Sequence, residues 1–96
     1  MKMQKFDIAE YLDSEEMIAA YLSSVLEDGD ADEFIAALGD VARAKGISEL
    51  AAQTGLGRES LYKTLSGNSK PRFDTVLKIT RALGVEMTLA PAALIG

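Results

Sequence analysis

Apolar residues recur at three- and four-residue spacing along most of this chain, the spacing of one face of an α-helix. Ile18, Tyr21, Leu22, Val25 and Leu26 form the first such stretch. Asp13 and Glu16 precede it at capping-box spacing, Leu12 is placed to staple Met17, and Gly29 ends it. Asp30 and Glu33 repeat the capping-box spacing, predicting a second helix that runs to Gly46 with Phe34, Ile35, Leu38, Val41 and Ala42 on one side. Gly39 inside that helix costs about 1 kcal/mol against alanine, which implies close approach of a neighbouring element. Ser48 is placed to cap a third helix reaching about Gln53. A fourth is predicted near Arg58–Ser66 and a fifth from about Phe73 to Leu83, closed by Gly84. Beyond Gly84 the rhythm changes: Val85, Met87 and Leu89 alternate with Glu86 and Thr88, as in a short β-strand. One strand is not stable alone, so this segment pairs with its counterpart in a second copy, joins another protein's sheet, or lies along the domain as extended chain. Met1–Tyr11 is a leader offering Phe6, Ile8 and Tyr11 for packing, and the chain ends in an apolar tail from Ala90.

The third and fourth helices and the Thr54-Gly55-Leu56-Gly57 turn between them have the form of a helix-turn-helix. Gly55 supplies a left-handed cap, Leu56 plugs the turn, and Ala51 and Ala52 are small where two helices must approach. Leu61 and Leu65, four apart, turn one face of the fourth helix inward. Arg58, Glu59, Tyr62 and Lys63 are left facing outward, a set suited to base edges and phosphates. An ordinary helical hairpin with a glycine turn accounts for the same local pattern.

Ninety-six residues with 48% hydrophobic and 26% charged residues describe one folded domain, not a disordered chain. The absence of cysteine and histidine removes disulfides, thiolate metal sites and the commonest general base, and no phosphate-cradling loop is present. No catalytic residue, metal or cofactor is therefore expected. Charged residues interrupt the N-terminus, so no secretory signal is expected there, and a cytoplasmic location is the remaining expectation. The net charge of −5 looks unsuited to DNA until its distribution is read. Residues 1–40 hold two lysines against eleven carboxylates, −9; residues 41–96 hold eight cations against four carboxylates, +4. The basic half coincides with the helix-turn-helix, and phosphate contacts depend on the local patch. Acidic residues also favour helix starts, which accounts for part of the other half.

Residues 47–85 resemble the helix-turn-helix of the lambda-repressor/Cro type. The whole chain to Pro91 resembles a narrower group, the prokaryotic addiction-module antidotes (HigA-like antitoxins), through Phe6-Asp-Ile-Ala-Glu-Tyr-Leu-Asp-Ser-Glu-Glu, Tyr21-Leu, Leu26-Glu-Asp-Gly-Asp, Ala36-Ala-Leu-Gly-Asp-Val-Ala-Arg-Ala-Lys-Gly and Thr54-Gly-Leu-Gly-Arg-Glu-Ser-Leu-Tyr-Lys-Thr-Leu-Ser. The pattern departs at Gly57, where many repressor-type domains carry a Ser or Thr cap, and at Thr64, where they carry Ile or Leu.

The resemblance implies an all-α, five-helix lambda-repressor-like DNA-binding domain with a short C-terminal β-strand: an acidic N-terminal part (1–46), the helix-turn-helix and closing helix (47–84), and the strand (85–89). Carried over by position, Arg58 would grip a guanine, Glu59 would accept from a cytosine amino group or stabilise the helix start, and Tyr62 would touch a thymine methyl or phosphate, or pack beside Leu61 and Leu65. Ser48, Gly57, Lys63, Ser66, Asn68 and Lys70 complete the expected DNA-contacting set. Such domains bind as dimers on half-sites about 34 Å apart, and Val85, Met87 and Leu89 are the expected dimerisation residues. The resemblance further implies a basic RelE/HigB-like toxin as partner, to which the acidic half is complementary. Two other readings share the pattern: a Cro-like or phage-type regulator without a toxin, and a helical interaction module with a degenerate helix-turn-helix.

Overall fold

The computed structural model describes residues 14–67 and 69–92. Those residues form helices α1 (Glu15–Asp28), α2 (Ala31–Lys45), α3 (Ile47–Thr54), α4 (Arg58–Thr64) and α5 (Phe73–Ala82). α2 packs against α1 and α3, and α3 also packs against α4 and α5. One core joins them, with Leu38, Val41, Ala42, Leu61, Ile79 and Leu83 at 0% exposure. Burying each of the leucine, isoleucine and valine side chains contributes about 1.5–3 kcal/mol. No helix is long and apolar enough to cross a membrane among the described residues.

The helix boundaries follow from local chemistry, with one cap differing from expectation at each of α1 and α3. At α1 the N-cap is Ser14, whose Oγ accepts the Met17 N–H at 3.2 Å. The expected cap Asp13, the Leu12 staple and the leader lie outside the described residues. The capping box of α2 is complete: the Asp30 carboxylate accepts the Glu33 N–H, and Glu33 accepts the Asp30 N–H, both at 2.9 Å. Ser48 does not cap α3. Gly46, at φ 110°, donates its N–H to Ala42 and accepts the Leu50 N–H, so one residue ends α2 and begins α3. The buried Ile47 is therefore already helical, and Ser48 falls in the first turn.

The C-terminal strand is not seen: residues 85–92 hold no secondary structure. Gly84, at φ 88°, closes α5 by donating to Arg81, while the Val85 N–H donates to Thr80 at 3.1 Å. These bonds make a Schellman motif, in which the residue after the glycine folds its apolar side chain back onto the helix. Val85 accordingly is buried in its own core, at 8% exposure, and does not stand with Met87 and Leu89 on an outer face.

Candidate nucleic-acid interface

α4 is a seven-residue helix held by its surroundings more than by its own ends. Its N-cap, Gly57, makes no side-chain cap bond. Gly55 turns the chain through the left-handed region (φ 78°, ψ 2°), as the sequence requires. Thr54 fastens that turn from inside: its Oγ1 donates to the Leu50 carbonyl at 2.8 Å and accepts the Leu56 N–H at 3.1 Å. Leu56 packs half-buried against the core, and Leu61 and Leu65 enter it. Ala51 is half-buried as expected between helices, whereas Ala52 is exposed.

At the far end of α4, a Cβ on Gly39 would meet the Leu65 carbonyl oxygen at 3.0 Å. That contact is the close approach anticipated for a glycine inside α2. Ser69 then ties the following loop back, its Oγ donating to the Thr64 carbonyl at 2.6 Å. Thr54 and Ser69 were missed as positioning residues. Thr54 carried a local signal, a hydroxyl one residue before a left-handed glycine. Ser69 carried none, because its acceptor lies across a turn.

With its leucine side anchored, α4 exposes Arg58, Glu59, Tyr62 and Lys63, all on its outer surface. Tyr62 is 49% exposed, so about half of its surface is open to solvent. Among the described residues Arg58 and Lys63 enter no ion pair. Seven residues at about 1.5 Å each make a rod about 10 Å long, a length that a DNA major groove admits. Ser48, Gly57 and Ser66 are also exposed. Asn68 lies outside the described residues. Lys70 is drawn elsewhere: its Nζ pairs with Asp32 of α2 at 3.0 Å. Arg72 pairs with Asp74 at 3.3 Å in the first turn of α5. Lys78 and Arg81 line a shallow polar pocket with Gln53 and Thr54, which sets two further cations beside the turn.

The opposite charge gathers on α1 and α2. A cleft of about 440 Å³ between them is bordered by Tyr21, Ser24, Asp28, Glu33 and Asp40. Burial pushes the Tyr21 hydroxyl above its ordinary pKa, and the Asp40 carboxylate adds to the shift. Arg43 is paired with Asp40 at 2.9 Å. Among the described residues no cluster of side chains could hold a metal ion.

Comparison with known proteins gives this arrangement a family. Residues 2–91 match the family model described as "Probable addiction module antidote protein". An uncharacterized protein of Haemophilus influenzae (strain ATCC 51907 / DSM 11121 / KW20 / Rd) is 44% identical over 85 residues, 88% of each chain. No solved structure matches. A family model that covers this much of the sequence settles membership: the chain belongs to the probable addiction module antidote proteins.

Proposed function

We propose that the protein is the antitoxin of a type II toxin–antitoxin module, which neutralises a basic RelE/HigB-like toxin and, as a homodimer in the cytoplasm, represses its own operon through a lambda-repressor-type helix-turn-helix. The observation that carries the DNA-reading half is the division of α4. Leu61 and Leu65 are 0% and 3% exposed, while Arg58, Glu59, Tyr62 and Lys63 stand in solvent on the other side. Arg58 at the start of α4 is the candidate for a bidentate guanine contact, and Lys63 one for phosphate. Ser48 and Ser66, both exposed, are further candidates for phosphate. Lys70 would reach phosphate only by leaving Asp32, an exposed pair that holds it by no more than about 1 kcal/mol.

An antidote implies a toxin partner, and the charge distribution supports its chemistry. A ribonuclease must hold RNA phosphate, so its working surface is positive. The −9 half, displayed in part on α1 and α2, would steer such a protein into contact and cover that surface. The protein has no role as an enzyme in this reading.

Two sets of variants test the assignment by separating the activities. Reversing exposed charges on α1 (Glu16→Lys, Glu27→Lys, Asp28→Lys) is expected to abolish copurification with the co-encoded toxin while retaining binding to the upstream DNA. Arg58→Ala with Lys63→Ala is expected to do the reverse. Equal loss of both activities in both sets would overturn the division of labour.

A further inference from the structure

A groove of about 280 Å³ opens where the end of α1 and the starts of α2 and α5 meet. Its walls are Leu26, Phe34, Ile35, Phe73, Val76 and Met87. Three of these are large apolar side chains left open to solvent: Phe73 is 64% exposed, Leu26 51% and Met87 36%. The Lys70–Asp32 pair sits at the edge. Scattered apolar surface needs no explanation, but a concave patch that holds an exposed phenylalanine is an interaction site in waiting.

A second exposed apolar feature is the segment that follows α5. Residues 87–96 contain no charged side chain. Val85 is fixed by the Schellman closure and Met87 touches the groove, yet Leu89, two residues on, is fully exposed. Residues 88–92 are all exposed, so this segment has left its own body without covering its own groove.

We infer that the groove receives the C-terminal segment of a second copy, centred on Leu89, in a symmetric exchange. A two-fold dimer satisfies both features at once, because each tail fills the other copy's groove and no groove or tail is left over. The leader suits the groove less well: residues 1–13 carry two lysines and three carboxylates, and charged side chains lose hydration against an apolar wall. No strand pairing is required, since the contact is made by side chains. The inference rests on the dimeric reading above and replaces its surface, moving it from an outer face of Val85, Met87 and Leu89 to the pairing of Leu89 with Leu26 and Phe73.

The natural absence of cysteine makes a direct test clean. Phe73→Cys and Leu89→Cys chains are mixed and mildly oxidised. A mixed disulfide dimer is expected, well in excess of either homodisulfide. A disulfide within single chains of the Phe73→Cys/Leu89→Cys double variant, at the 10.3 kDa monomer mass, would overturn the exchange. So would a link between Phe73→Cys and Phe6→Cys within one chain.

Sedimentation supplies the second measurement. The wild type is expected at twice the chain mass at tens of micromolar, with Phe73→Glu and Leu89→Glu each falling to one chain mass. Their equimolar mixture should regain part of the dimer, because one groove and one tail remain intact between the two chains. Both side chains are exposed, so circular dichroism should show both variants folded. A wild-type dimer that survives both substitutions defeats the groove-and-tail pairing but leaves the dimeric reading standing. A wild-type monomer with and without operator DNA defeats both.

Discussion

α2 and α4 are built in opposite ways. α2 has fifteen residues, a complete capping box, cations in its last turn and seven buried positions. α4 has seven residues, no side-chain cap and a single buried residue of its own, Leu61. Isolated helices this short are unstable in water, so α4 exists because Thr54, Gly55, Leu61, Leu65 and the glycine gap at Gly39 hold it. The difference teaches where each helix spends its surface. α2 gives one side to the core and serves as a spine. α4 gives the core a narrow strip and keeps Arg58, Glu59, Tyr62 and Lys63 outside.

That contrast can be broken most severely at the spine. Leu38→Ala removes a fully buried side chain and should cost about 2–5 kcal/mol, read as a fall in the denaturant midpoint. The corresponding change on the outer side of α4 should act on binding alone. Arg58→Ala is expected to leave the midpoint within about 0.5 kcal/mol of wild type, yet to lose about 1–3 kcal/mol of discrimination between operator and a guanine-substituted duplex. Asp30→Ala, which removes half of the capping box, should cost about 1 kcal/mol in thermal unfolding. The smallest effect has the opposite sign. Gly57 has extended backbone angles (φ −71°, ψ 156°), and a Cβ there would meet nothing within 4 Å. Gly57→Ser would therefore give α4 the cap it lacks and raise stability by about 0.5 kcal/mol, measured by urea titration.

What could be read from sequence was local chemistry. The Asp30–Glu33 box, the left-handed Gly55, the inward Leu61 and Leu65, and the tight fit at Gly39 each follow from residues a few positions apart or from a cost that demanded a reason. Ser48 failed as a cap because Gly46 serves two helices at once, which a search for Ser, Thr, Asp or Asn passes over. The alternation of Val85, Met87 and Leu89 imitated a strand although Val85 is the apolar lock of a helix terminus. The ion pair of Lys70 was not legible because its partner, Asp32, lies 38 residues away. The groove was invisible for the same reason, since its walls come from separate stretches of chain that only folding assembles.

The salt dependence of binding to the duplex upstream of the protein's own coding sequence, followed by fluorescence anisotropy, tests the role of α4 most directly. Wild type should show affinity that falls linearly in log–log form with salt, and Lys63→Ala should lower that slope by about one while weakening all sequences alike. Adding Arg58→Ala should remove the preference for the upstream sequence over unrelated DNA. A double variant that keeps the wild-type slope and the wild-type preference would show that α4 does not enter the duplex.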